Sequence, residues 1–500
     1  MTAPRRALTM VTLACAPILI LGLWGEKVPV GKGFGWDGQV YGRMAMHFEE
    51  AVFVEPITSY RVQRLLPSAL VHAGLRATAA KPDETSVIRG FIILNTLLIA
   101  VSVLLWLRVA SSLGLGLRGE WLGFIGLFVN WAVWKQSTYY PVLTDIAAFT
   151  LGLAAFSAYL DRRRGSLVVA GLAGAFTWPV ALHGAALMLA LPRPQATTRS
   201  RLPRWMILVV AGAVATGFLA AVLYLYVYRG RATPNIQSTE MASVVRDLAP
   251  LSIAAAASFL FVILAGLLGA MRVGGVGEAI RSVSPVGLVL ASIPFAIVAL
   301  AVRALADSAE PVTARSLLAF IALGSITKPF SFFVPHVVYF GPIVLVIALY
   351  WRRLCDVAGA LGPGVVALVL MTILIAMTSE SRLAIFGFPM IVALACRAAD
   401  PESWTRTQIL LVGALSLLYS KVWFPINTQP MEGALLDFPF QRYFMQHGPW
   451  MANATYAVHA AIVVLTAALF FVVLPRPARR DVGFATSETA RDGSIAVPAS

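Results

Sequence analysis

The chain has 500 residues, 59% hydrophobic and only 13% charged, with a mean hydropathy of +0.79 and a formal net charge of +15. Soluble globular chains average about 25% charged and about 45–50% apolar residues, so the composition excludes an ordinary soluble fold and implies a membrane protein. The basic residues punctuate the apolar runs instead of gathering on one domain, which is the pattern of topology signals and argues against a nucleic-acid partner.

In chain order, apolar segments near 7–25, 87–109, 119–136, 141–160, 205–228, 248–271, 285–303, 337–351, 364–380, 383–399, 407–424 and 455–474 read as spans. Crossing about 30 Å of hydrocarbon takes roughly 20 residues. The fold class expected is an all-α polytopic bundle of about 12 full spans plus two re-entrant segments. Arg5-Arg6 ahead of the first apolar run resembles a signal peptide without a convincing cleavage site, so a retained signal-anchor is expected. The first external loop, 26–86, is aromatic and mixed in charge, and residues 41–53 and 60–76 have helical apolar spacing suited to the membrane interface. A membrane domain over 1–475 and a disordered cytoplasmic tail over 476–500 complete the expected organisation.

Arginine orients the set. Arg108 with Arg118, Arg162-Arg163-Arg164, Arg352-Arg353 and Arg479-Arg480 all fall in turns on one side, and the external turns hold most of the acids. Positive charge marks the cytoplasmic side, so both termini are expected inside. Residues 165–191 break the alternation, because both flanks are basic while Trp178-Pro179 interrupts the helix near the middle. Two short helices meeting at that pair inside the membrane would keep both flanks cytoplasmic; one kinked span is the alternative. Around residues 317–336, Thr327-Lys328-Pro329 and Pro335-His336 interrupt two apolar runs in the same way and suggest a second re-entrant piece.

The cysteines Cys15, Cys355 and Cys396 lie in or beside apolar segments, so a disulfide framework is not expected. His47, His72, His183 and His459 lack metal-ligand spacing, and there is no phosphate-cradling Walker loop.

Charge outside or at the edge of the spans is where chemistry can sit. Asp37, in Gly35-Trp36-Asp37-Gly38-Gln39-Val40-Tyr41, is an external carboxylate among glycines and aromatics, placed to deprotonate a hydroxyl that comes within hydrogen-bonding distance. A purely structural Asp-Gly turn is the plain alternative. Asp145 stands about one turn into the span that begins at Tyr139-Tyr140-Pro141; an acid in a membrane segment is costly and usually faces a cavity or a partner. If both acids face one cavity they could share a divalent cation or divide acid and base roles; nothing in the motif signals a metal. Arg61 and Arg64, three apart in Tyr60-Arg61-Val62-Gln63-Arg64-Leu65-Leu66-Pro67, would share a helix face and suit a phosphate, or anchor lipid headgroups. Lys328 and His336 bracket the irregular loop. Glu380 and Arg382 occupy a short external turn, where they could act together or simply pair with each other.

These positions, with the many-span layout, make the chain resemble the GT-C superfamily of integral-membrane glycosyltransferases. The resemblance rests on Asp37 in a large first external loop, the Asp-Gly-Gln-x-Tyr stretch, the Arg61/Arg64-Leu-Leu-Pro segment and Asp145 at the external start of the fourth span. It implies transfer of a sugar from a polyprenyl-phosphate donor to a glycan or lipid acceptor at the outer face of a bacterial inner membrane. Asp37 and Asp145 match the catalytic acids. Arg61, Arg64, Lys328 and Arg382 are then candidates for the donor phosphate, and Gln39, Tyr41, His336 and Glu380 for the rest of the substrate. The second acid adjacent to the first, present in several members, is missing after Asp37, which leaves a divalent-cation cofactor open. Rival readings from other classes are a transporter or flippase for lipid-linked glycans, a polysaccharide polymerase, and a non-catalytic membrane scaffold. A transporter would place ionisable groups near mid-membrane, with internal repeats.

Overall fold

The computed structural model describes residues 2–193, 202–233, 239–271, 282–308, 314–427, 451 and 453–476. The expected tail therefore lies almost wholly outside the described residues. The architecture is almost entirely helical. α1 (Ala3–Trp24) leads into the segment 26–83, which carries α2 (Gly38–Met46), α3 (Phe48–Phe53), α4 (Ser59–Val62) and α5 (Leu65–Ala77). α6 (Glu84–Ser112) follows, its first turn closed by the Asp83 side chain accepting from the Ser86 amide at 2.9 Å. Next come α7 (Leu117–Phe128), α8 (Ser137–Tyr139), α9 (Asp145–Leu160), α10 (Arg164–Ala175) and α11 (Pro179–Ala190). α12 (Arg204–Val222), α13 (Thr239–Ala270), α14 (Pro285–Leu305) and α15 (Ala314–Gly324) lie beyond. The last set is α16 (Val334–Phe340), α17 (Ile343–Leu349), α18 (Trp351–Leu361), α19 (Pro363–Ala376), α20 (Phe388–Ala399), α21 (Arg406–Ser420) and α22 (Asn453–Val473). An all-α fold needs one amendment: β1 (Ile57–Thr58) and β2 (Ala306–Ser308) pair in parallel and tie the chain ahead of α4 to the end of α14.

Among the described residues, six helical stretches are long and apolar enough to cross a membrane: Ala3–Trp24, Glu84–Ser112, Arg204–Tyr228, Ala242–Ala270, Pro285–Leu305 and Asn453–Val473. Side chains such as Val209, Val289, Leu465 and Val472 stand more than half exposed on them, as lipid-facing residues do. The chain is membrane-embedded. The other six expected spans are shorter or interrupted. Asn130 ends the 119–136 run, its amide nitrogen donating to the Gly126 and Leu127 carbonyls, before a π-helical turn over Trp131–Gln136. Gly341-Pro342 divides 337–351 into α16 and α17, and the remaining runs form helices of 12 to 16 residues.

α10 and α11 pack against each other and meet at Thr177-Trp178. With 12 residues each, they are about 18 Å long, short of a bilayer core. Trp178 is extended ahead of Pro179, which opens α11 at a position where a missing N–H costs nothing.

Just past α1, Glu26 binds three segments. Its carboxylate accepts from Lys135 Nζ at 2.9 Å and from the Ile426 and Asn427 amides at 2.6 and 2.8 Å. Asn427 also accepts from the Tyr139 hydroxyl at 2.6 Å, and Val28 N–H donates to the Tyr139 carbonyl at 2.9 Å. Burial works to raise the Glu26 carboxyl, but the Asn427 and Ile426 amides and Lys135 hold it below the ordinary glutamate range. A depressed carboxylate contributes stability above its unfolded pKa of about 4.3 and loses it as pH falls through the folded value. The thermal midpoint of the purified protein should therefore drop on acidification below that range, and Glu26→Gln should start lower at neutral pH and fall less; parallel curves would remove this role. A second expectation concerns the helix pair: reporter tags inserted after Asp161 and after Arg193 should report the same compartment, whereas opposite compartments would make 165–191 a full span.

Candidate active site

The Asp37 loop is shaped by what it rests on. Gly35 has φ +70°, and a Cβ there would lie 2.3 Å from the Tyr140 ring, so only glycine allows this approach. The Gly38 amide donates to the Tyr140 hydroxyl at 3.0 Å. The two glycines flanking Trp36-Asp37 thus seat the loop on Tyr140. That tyrosine lies in the connection from α8 to α9, and the same connection ends at Asp145. Two carboxylates distant in sequence are brought together by this one ring.

Asp145 is the first residue of α9, not one turn inside it, because the chain from Tyr140 to Thr144 is not helical. An acid in the first turn faces the positive end of the helix dipole. Its side chain is almost completely buried. Arg382 grips it with two nitrogens: Nε to Oδ1 at 3.2 Å and Nη2 to Oδ2 at 3.3 Å. The third guanidinium nitrogen, Nη1, donates to Asp37 Oδ2 at 3.4 Å and lies 4.0 Å from Glu380 Oε1. Such a fork is the geometry that arginine offers and lysine cannot. Asp37 itself keeps 54% of its side chain exposed, and its Oδ1 has no hydrogen-bond partner among the described residues. One acid is locked and the other is available.

The turn that carries Arg382, Ser381–Ala384, is braced from behind. His336 Nδ1 accepts from the Ser381 hydroxyl at 2.8 Å, and Nε2 donates to the Ala376 carbonyl at 2.8 Å; a carbonyl can only accept, which places the proton on Nε2. Lower down, Gly152 of α9 sits where a Cβ would be 2.0 Å from the Phe386 carbonyl oxygen. That close approach holds Asp145 and Arg382 on adjoining backbones.

Arg64 completes the buried part. It is 3% exposed, donates to Thr144 Oγ1 at 3.3 Å, and lies over two rings, 4.2 Å from the Trp178 centroid and 4.3 Å from Tyr60. Arg382 lies 5.9 Å above the same Trp178. The apex of the α10–α11 pair is therefore an aromatic floor for two guanidinium groups, and the Leu66 amide, donating to the Phe176 carbonyl at 2.9 Å, docks α5 onto it.

Arg61 and Arg64 do not share a helix face. α4 ends at Val62, and Arg64 has non-helical backbone ahead of α5, because stacking under Tyr60 and over Trp178 overrides the helical spacing. Arg61 instead lines an open cavity of about 240 Å³ with Asp37, Val40, Tyr41 and Tyr60. Tyr41 is buried at its wall, its carbonyl accepting from Ser68. Gln39 faces outward beside Gly31. Lys328 is not brought to this cluster: it donates to the Met451 carbonyl and lies 5.4 Å from the Tyr456 ring. The sequence reading missed Tyr140, Thr144, Tyr60 and the supporting face of Trp178. Only Trp178 had a visible signal, as the residue before a proline in mid-segment.

The space between Asp37 and Asp145 where a divalent cation would sit is filled by the Arg382 guanidinium, which engages both Asp145 oxygens. The residues present do not fit a bound cation there.

No family model matches the chain, and no curated protein does. Two solved structures are similar. One is the archaeal oligosaccharyltransferase AglB from Archaeoglobus fulgidus in complex with an inhibitory peptide and a dolichol-phosphate, at TM-score 0.43 and 15% identity over 95% of this chain and 57% of that one. The other is the Archaeoglobus fulgidus oligosaccharyltransferase tethered with an acceptor peptide containing the NVT sequon, at TM-score 0.39 and 14% identity over 95% and 56%. The chain spans a little over half the length of these proteins.

Removing Arg382 alone should leave a buried, unpaired Asp145, which costs about 3–5 kcal/mol. Arg382→Met should therefore unfold at clearly lower temperature than wild type in detergent. Arg382→Met with Asp145→Leu should recover a large part of that loss. Additive losses in the double variant would mean the two side chains are not coupled.

Proposed function

We propose that the chain is a membrane glycosyltransferase of GT-C type. It moves a sugar from a polyprenyl-phosphate carrier to a glycan or lipid acceptor on the extracytoplasmic face of a bacterial inner membrane. The proposed topology has both termini in the cytoplasm and about twelve crossings. One observation carries the reading: a half-exposed carboxylate, Asp37, aimed by a buried arginine into a cavity whose other wall holds Arg61.

In this mechanism the acceptor hydroxyl sits against the open oxygen of Asp37. The acceptor oxygen forms a bond to the anomeric carbon of the donor sugar and its proton passes to Asp37. The bond from that carbon to the carrier phosphate breaks, and its electron pair stays on the phosphate. Arg61 stands where that charge develops, and stabilising charge that appears only in the transition state accelerates the step. Arg382 is engaged with Asp145, so its part is to hold Asp37 in place. Arg64 supplies a fixed positive charge under the same site. No step is routed through a metal ion. An apolar cavity of about 650 Å³ between α13, α16 and α20 suits the prenyl chain; Phe332, Phe340 and Phe388 line it, and so does His336, which touches Ser381 next to Arg382. The charges gather around one cluster at the ends of several helices, which favours surface chemistry over a transport path.

Asp37→Asn keeps the size of the side chain and removes its capacity as a base. In membranes supplied with radiolabelled polyprenyl-phosphate sugars, transfer should fall by about two to four orders of magnitude, with unchanged expression and thermal midpoint. Near-normal transfer would exclude the catalytic role. Arg61→Lys retains charge but loses the planar fork, so donor affinity should weaken while the fold survives; unaltered donor binding would return Arg61 to headgroup anchoring.

A further inference from the structure

Beside the Asp37 cavity lies a second, larger one of about 780 Å³, which is in the range of small-ligand sites. Val40 and Arg61 line both, so the two adjoin at the Asp37 end. One wall is a face of α2, where Gln39 and Arg43 are exposed four residues apart, with His47 exposed just past the helix end. The other wall is the strand-like run Glu55-Pro56-Ile57 leading to Arg61, with Phe34 and Met44 forming an apolar floor.

Its charges cancel. Lys32, Arg43 and Arg61 line it together with Glu50, Glu55 and Glu84. Two of the three possible pairs are already made, Lys32 to Glu84 at 2.8 Å and Arg43 to Glu55. An anionic ligand would have to break these pairs and meet the acids, and a cationic one would meet the mirror problem. A hydrocarbon chain would bury ionised side chains without compensation, which is expensive. A neutral, hydroxyl-rich ligand does neither: it bonds to the outward oxygens and nitrogens of paired charges and lays its C–H faces on Phe34 and Met44.

We propose that this cavity is the acceptor site and that the acceptor is an uncharged oligosaccharide, its terminal hydroxyl reaching Asp37 past Arg61. The assignment rests on the reading of Asp37 given above and narrows it from a glycan or lipid to a neutral saccharide.

His47→Cys provides the probe, because His47 is exposed on the α2 wall and the native Cys15, Cys355 and Cys396 are all buried. The full chain in lipid nanodiscs is labelled with a charged thiol reagent in the presence of neutral trisaccharides of gluco, manno, galacto and pentose type. Acidic trisaccharides and polyprenyl phosphate serve as contrasting probes. At least one neutral trisaccharide should slow labelling about tenfold at about ten times its dissociation constant, and the contrasting probes should not. The finished adduct should abolish transfer while donor binding persists. Met46→Cys, uncharged and partly exposed on the same cavity, replaces His47→Cys should the latter misfold. Protection by no neutral trisaccharide, or equal protection by an acidic one or by the lipid, overturns the assignment. Adding Asp37→Asn separates the two readings. Protection with transfer lost supports both. Protection with transfer intact removes the catalytic role of Asp37 but leaves the saccharide site. Lost transfer without protection leaves Asp37 catalytic and removes the site proposed here.

Discussion

A guanidinium sunk among carboxylates is the constraint from which the rest of the site follows. Arg382 and Asp145 are both nearly buried, and each alone would be costly away from water. Together, through two parallel hydrogen bonds, they offset that cost only while their backbones stay in register. The surrounding structure reads as a set of devices that enforce this register. Gly152 lets α9 close on Phe386, His336 ties the start of the Ser381 turn to the end of α19, and the N-terminus of α9 adds a favourable dipole. What the pair leaves over, one nitrogen of Arg382, aims the exposed Asp37.

The outer layer is hung from a different point. Glu26 holds the end of α1, the π-helical turn with Lys135, and the segment after α21 in one hydrogen-bonded group. Tyr139, in that group, fixes the backbone beside it, and Tyr140 then offers its ring to Gly35 and its hydroxyl to Gly38. Position passes from Glu26 to Tyr140 to Asp37 through short, specific contacts. An exposed loop can in this way present a carboxylate with the definition usually reserved for regular structure.

The sequence shows the charged members of the site because ionisable groups beside apolar segments are expensive and seldom idle. Asp37, Asp145, Glu380 and Arg382 stand out on that ground alone. The long spans are equally visible, since twenty apolar residues in a row have few other uses. Hydropathy sums straight across Asn130 and Gly341-Pro342, however, so the broken helices look continuous. Spacing also misleads for Arg61 and Arg64, where stacking on rings from distant segments outweighs a helical register that four residues cannot sustain. Lys328 drew attention by lying in an irregular loop, but irregularity says nothing of distance, and the Met451 carbonyl is what it meets. Tyr140 and Trp178 are uncharged and look like ordinary interfacial aromatics, so their roles appear only when the chain is folded.

Trp178 has a consequence for how such a protein can change over time. Its indole supports Arg64, from the connection between α4 and α5, and Arg382, from a turn two hundred residues later, while its own place is set by the pairing of α10 with α11. A smaller side chain would withdraw the floor from both cations in one step. Drift at this position is therefore permitted only alongside matched changes in two other parts of the chain. In a set of descendants, these three residues should be inherited as a block, even where the lengths of the intervening helices diverge.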